Sequence, residues 1–273
     1  MDNRLTVVEA RILRWRNSEA GYETDFLSVE EPLALEVNGK RVAVLMRLPG
    51  AEKELAVGFL ISEGIIARFQ DILMLSHCGQ FLPDEETDDP LAPSRNIVKV
   101  TATALQGSTD AATLLIRSGC GRTRVDDIEE HIPVVDGAVQ LDARVLTEMS
   151  RTILSLQDVR KVAGGVHLAA LFDSSGQLIV AHEDVGRHNA ADKVFGHALL
   201  HGIPLHDKIL YNTGRASYEL VTKGARLNVP ILVSKSSPTS LAVEFAEASN
   251  ITLCGFVQGN RANIYSGMER ILL

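Results

Sequence analysis

The sequence predicts an α/β fold: a smaller, strand-rich N-terminal subdomain over residues 1–140 and an α/β layer domain over 141–273. Three observations carry this. LTVVEARILRW and PLALEVNGKRVAVLMRLPG alternate apolar and polar positions with period two, as half-buried strands do. From residue 141 onward, strand-like and helix-like segments follow one another in turn. The 273 residues, 45% of them hydrophobic, are enough to bury a sizeable core.

Taken in order, Asn38-Gly39 splits the second alternating run and marks a hairpin. AEKELAVGFLISEGII places Leu55, Phe59 and Leu60 at helical spacing and closes near Gly64. PDEETDDPLAPSR, 83–95, is acidic and proline-rich, a solvated loop before the strand NIVKVTATAL. Residues 117–127, with little apolar periodicity, form a mobile loop. LDARVLTEMSRTILSLQ is helical, with Asp142 or a near neighbour as its cap. HLAALFDSSGQLIVAHEDV gives two strands around DSSGQ. Helix and strand then alternate through RHNAADKVFGHALLHG, KILYNTG, ASYELVTKGARLN, PILVSK, PTSLAVEFAEASN and ITLCGFVQGN.

The formal net charge of −8 argues against broad affinity for nucleic acid or anionic membrane, though not against a local basic pocket. No apolar run reaches the 18 or so residues of a membrane span, and the N-terminus lacks a signal-peptide core. Three scattered cysteines fit a reducing, cytoplasmic setting better than a disulfide framework. Cys78 and Cys254, in apolar surroundings, read as structural. Cys120 differs: in RSGCGRTR it stands between two glycines and among Arg117, Arg122 and Arg124. Guanidinium groups favour the reactive thiolate, although a loop thiol can also be incidental.

HEDVGRHNAADK, 182–193, crowds Glu183, Asp184, Arg187, His188, Asn189, Asp192 and Lys193 into a strand-to-helix junction, where backbone N–H groups welcome anions. NTGRASYELVTKG, 212–224, repeats the pattern with Arg215, Glu219 and Ser217, a candidate cap. SKSSPTSLA, 234–242, adds Lys235 and a cluster of hydroxyls. Three such strand ends in one layer converge on one edge, and phosphate is the natural guest. His167, after paired glycines, is a weaker candidate. The pairs His182/His188 and His197/His201 raise the question of metal, but no further ligand follows at zinc spacing.

Together these segments resemble the FdhD family of formate dehydrogenase accessory sulfur carriers. The likeness runs from EEPLALEVNGKRVAVLMRLPGAEKELAVGFLISEGII through GCG, AGGVHLAAL, HEDVGRHNAADK, TGRASYELVTKGA and SSPTSLAVEFAE to TLCGFVQGNRANIY. It implies a cytidine deaminase-like fold for the larger domain. A cysteine desulfurase would hand persulfide sulfur to Cys120. The protein would pass it to the molybdenum of the bis-molybdopterin guanine dinucleotide cofactor for formate dehydrogenase, the client. It further implies a homodimer, and a cofactor-binding stretch at Phe256, Val257, Gln258, Gly259, Asn260 and Arg261. The polar junctions would hold the guanine dinucleotide moieties.

One departure stands out. Many family members have Cys-x-x-Cys at the loop, whereas here Thr123 follows Cys120 at that spacing. A cofactor-binding chaperone without sulfur chemistry is therefore a second reading. A zinc nucleobase deaminase is a third, weakened because His167 is followed by Leu168 and Ala169 and SSPTSLA carries no cysteine.

Overall fold

The computed structural model describes residues 6–78, 96–105, 114–116, 133–137 and 139–273. The loops read at 83–95 and 117–127, Cys120 and Thr123 among them, lie outside these residues.

The second alternating run is a hairpin, as expected, and the first is one strand of another hairpin whose partner lies beyond it. β1 (Val7–Arg16) turns through Asn17 and Ser18 into β2 (Glu19–Ser28), and the pair forms a separate two-stranded sheet. β3 (Glu31–Val37) turns through Asn38 and Gly39 into β4 (Lys40–Arg47), with both turn residues at positive φ (50° and 76°). Asn-Gly suits this primed turn because its twist matches that of the strands. The Asn38 amide also bonds both backbone groups of Ala102, fixing the turn against β6 (Ile97–Ala102). With β5 (Ile72–Cys78) and β7 (Leu114–Ile116) these make a five-stranded sheet of order β5-β6-β3-β4-β7. Cys78 is exposed, contrary to its reading as a buried structural thiol, because it ends an edge strand. Cys254 is fully buried, and burial pushes its thiol up to about 12.

The second sheet has six strands: β9 (His167–Phe172), β10 (Leu178–Asp184), β11 (Ile209–Asn212), β12 (Ile231–Ser234), β13 (Thr252–Gln258) and β14 (Arg261–Ser266). Their order is β10-β9-β11-β12-β13-β14, with β11, β12 and β13 parallel and β9 antiparallel to both neighbours. Buried on both faces, the central strands read as continuous apolar runs. Ala169, Leu171, Leu210, Leu232 and Leu253 face a core shared with the five-stranded sheet and with α1 (Glu52–Ser62), α4 (Arg187–Leu200), α5 (Tyr218–Arg226) and α6 (Ser240–Ala248). Leu168, Ala170, Phe172, Ile209, Tyr211 and Ile231 face α2 (Ala143–Ser155) on the other side. Asp142 caps α2 as expected, accepting a 2.8 Å bond from the Arg144 amide. Beside it, β8 (Leu141–Asp142) pairs with β15 (Ile271–Leu272).

The helices α1 and α4 meet almost backbone to backbone. A Cβ on Gly58 would lie 1.8 Å from the carbonyl oxygen of Asp192, and one on Gly196 would lie 1.8 Å from that of Glu54. The joint is reinforced by charge. Lys223 of α5 reaches both Asp192 oxygens at 3.0 Å and the Ser62 hydroxyl at 2.8 Å. No helix among the described residues is long and apolar enough to cross a membrane.

Candidate functional site

Because β10, β11, β12 and β13 all run in one direction, their carboxyl ends share one edge of the sheet. The three polar junctions at 185–187, 213–217 and 235–239 therefore converge, as the sequence predicts. His167 joins them because antiparallel β9 begins where its neighbours end. At this edge lies a cleft of about 340 Å³ lined by Arg160, His167, Thr213, Lys235, Ser236, Phe256, Gln258 and Arg261. The volume suits a small polar ligand.

Each wall has a traceable cause. Thr213 continues β11 for one residue, its amide donating to the Leu168 carbonyl and its hydroxyl accepting from the Leu168 amide, both at 2.9 Å. The two junction loops run side by side: the Ala216 amide donates to Ser237, and the Thr239 amide donates to Ala216. Phe256 sits where the β13–β14 register slips, with φ of 54°. A phenylalanine in the left-handed region is strained, and such strain gathers at functional sites. The Ser236 carbonyl holds its amide at 2.9 Å, and the Arg261 guanidinium lies 5.6 Å from the ring centroid.

Arg160, Lys235 and Arg261 place three cations around the cleft, and no carboxylate lines it among the described residues. In a chain of net charge −8 this is a local reversal of sign. The His167 imidazole is held below its usual range, first by burial and then by Arg187 and Arg160, so it stays neutral at pH 7. Its Nδ1, and Nδ2 of the fully buried Asn212 on the same edge, have no hydrogen-bond partner among the described residues. Positive charge, an aromatic face and uncommitted polar atoms suit a phosphorylated ligand with a planar ring system.

Of the described residues singled out from sequence, His167, Lys235, Phe256, Gln258 and Arg261 line the cleft. Asp184 is wholly buried, accepting from the Leu48 and Gly186 amides, from the Asn189 amide group and from Lys193 at 2.8 Å. Asn189 also donates to the Met46 carbonyl, so this pair ties β4 to the start of α4. The Arg187 side chain lies across Gly214, where a Cβ would come within 2.8 Å of it. Ser217 stands at the N-cap of α5, yet its hydroxyl bonds His188 Nε2 at 3.1 Å and not the helix. His188 is driven down to about 3 by burial, then by Arg187 and Lys223. Arg215 is exposed and Glu219 half-buried. Val257 is buried and its carbonyl accepts from the Tyr211 hydroxyl. The turn at Gly259 and Asn260 is pinned to α2 through Ser150 and Arg151.

Sequence reasoning missed Arg160. It lies on α3 (Asp158–Ala163), a helix too short to show periodicity. Glu183 places that helix, its carboxylate accepting from the Val159 and Arg160 amides at 2.8 and 3.1 Å. The density of charge around Glu183 was legible, but not the segment it would hold.

Fold and cleft together define an α/β protein with a cation-lined cleft at a shared strand edge. The chain belongs to the FdhD/NarQ family, whose model matches residues 28–272. A protein named sulfur carrier protein FdhD from Anaeromyxobacter dehalogenans is 37% identical, covering 97% of this chain and 93% of its own. One of the same name from Sulfurisphaera tokodaii is 35% identical over 98% of this chain and 100% of its own. A crystal structure described as that of a formate dehydrogenase accessory protein from Desulfotalea psychrophila superposes with a TM-score of 0.78. It has 27% identity and covers 98% of this chain and 100% of that one.

Proposed function

We propose that this chain is a cytoplasmic sulfur carrier for formate dehydrogenase maturation. It would accept persulfide sulfur on Cys120 from a cysteine desulfurase and pass it to a bound molybdenum bis-molybdopterin guanine dinucleotide. The observation that carries this reading is the cleft, with three cations and a strained Phe256 on a family-matched fold. Arg160, Lys235 and Arg261 suit the pyrophosphate of a guanine dinucleotide arm, and the Phe256 ring suits its base. The Cys120 thiolate attacks the outer sulfur of the donor's persulfide, and the donor's own thiolate leaves. The two arms of the cofactor call for two clefts, hence a homodimer. The six-stranded layer is, on this reading, the cytidine deaminase-like unit, supported by a mixed sheet in which β9 and β14 run against four parallel strands.

The test is mass spectrometry after incubation with a cysteine desulfurase and cysteine. Addition of one sulfur atom at Cys120, absent from Cys120→Ser, is the expected result. Sulfur found on Cys254 and never on Cys120 would sink the assignment. The second reading, a cofactor-binding chaperone, draws on Thr123 standing where a second cysteine would complete Cys-x-x-Cys. It predicts guanosine diphosphate binding with no sulfur adduct at any cysteine.

A further inference from the structure

The acidic residues that open the 182–193 motif are committed to the chain's own backbone. Glu183 and Asp184 are neighbours on β10, and successive side chains on a strand point to opposite faces. Both serve α3. Asp184 and Lys193 hold the Leu48 backbone, Asp184 accepting from its amide at 3.2 Å and Lys193 donating to its carbonyl at 2.8 Å. The Leu48 side chain packs with Val159 of α3 and with Val166. Glu183 takes the helix directly: one carboxylate oxygen accepts from the Val159 amide and the other from the Arg160 amide.

Those are amides that the start of a helix leaves open. α3 has only six residues, and Gln157 at its N-cap makes no side-chain bond to it. So short a helix depends on partners outside itself. Glu183 stands in for the local cap from 23 residues away. Its bonds are charge-assisted, and a negative charge suits the positive end of the helix dipole. The arrangement also keeps the cation intact. A direct ion pair between Glu183 and the Arg160 guanidinium would cancel the charge that faces the cleft. Instead the carboxylate grips the arginine by its backbone, and the guanidinium gives one bond, to the Val166 carbonyl at 3.1 Å. The Arg160 side chain is exposed on the cleft wall, and a guanidinium has five N–H donors. Among the described residues, most of those donors remain for a ligand.

We propose that Glu183 is a positioning residue for the ligand of the cleft: it fixes the start of α3 and so sets the Arg160 guanidinium against the ligand's phosphate. This role rests on the reading of the cleft as a guanine dinucleotide site. It carries a sign that a bystander carboxylate would not. A carboxylate near an anionic ligand repels it, so removing a bystander's charge tightens binding. A carboxylate that acts by holding Arg160 must weaken binding when its charge is removed. The loss must also pass through Arg160, so the two residues act as a unit and their effects do not add.

The experiment is calorimetric titration with guanosine diphosphate of four proteins: wild type, Glu183→Gln, Arg160→Ala and the double variant. Glu183→Gln keeps the shape of the side chain and one acceptor oxygen, so it should fold, and circular dichroism with a melting curve checks this. The expected result is that Glu183→Gln alone weakens the nucleotide about fivefold, from the loss of charge-assisted bonds. In the Arg160→Ala background the same substitution should weaken it by less than about twofold, or tighten it slightly. Wild-type or tighter binding by Glu183→Gln overturns the positioning role and leaves the cleft reading standing. An equal loss in both backgrounds means that Glu183 acts through something other than Arg160, and it overturns the role as well. A wild type that does not bind guanosine diphosphate overturns the cleft reading and this role with it.

Discussion

Arg160 is held from both ends: its amide donates to the Glu183 carboxylate and its guanidinium to the Val166 carbonyl at 3.1 Å. The side chain itself is exposed on the cleft wall, so truncation should leave the core untouched. Arg160→Ala is expected to weaken guanosine diphosphate binding about tenfold, the worth of one charge-assisted hydrogen bond. Thermal stability should barely move. Arg160→Lys keeps the charge without the planar fork and should fall between. Calorimetric titration beside a melting curve checks this; wild-type affinity in Arg160→Ala would place the phosphates elsewhere. Much of the cleft was legible because polar residues crowd at the ends of apolar strands, as at Lys235 and in FVQGNR. What was not legible depends on long-range partners. Arg160 needs Glu183, 23 residues away, and the backbone of Phe256 depends on a slip in pairing with a strand not yet seen.

At the scale of elements, α1 and α4 were visible in the spacing of apolar residues, but their contact was not. Two glycines that look incidental in the sequence let two backbones touch. Gly58→Ala puts a carbon 1.8 Å from a carbonyl oxygen at the end of no flexible side chain, so the helices must separate. The expected loss is about 3 kcal/mol or more, the high side of overpacking. Gly21→Ala, where an added Cβ meets nothing within 4 Å, is the control and should stay within about 0.5 kcal/mol of wild type. Urea unfolding of both variants decides the matter. A Gly58→Ala protein as stable as the control would mean that the joint yields. Sequence reading missed β2, most of which is exposed, and β5; it also missed β14, which follows the turn at Gly259 and Asn260, and short elements such as β8, β15 and the six-residue α3. Too few residues repeat in the short elements for a period to show.

At the scale of the whole molecule, two buried histidines should each cost stability in mild acid. His188 is held down to about 3 and His182 to about 4, each chiefly by burial. Both are neutral in the folded state at pH values where the unfolded chain is protonated. The unfolded state therefore binds more protons below about 6.5, and stability falls as pH drops from there toward the folded values. From pH 6.5 to 5 each histidine contributes a loss of at most about 2 kcal/mol, from 1.36 kcal/mol per unit of pKa. Above about 7.5 neither has much effect. Replacing one of them isolates its share: His188→Gln can keep a hydrogen bond to Ser217 and has no proton to gain. Its stability measured at pH 5 and pH 7 should differ by less than that of wild type, by about the share of one histidine. Carboxylates titrating in the same window are common to both proteins and cancel in the comparison. Equal pH slopes for the two proteins would mean that His188 is as free to charge in the fold as in the unfolded chain. The burial beneath the cleft that keeps it neutral would then have to be abandoned.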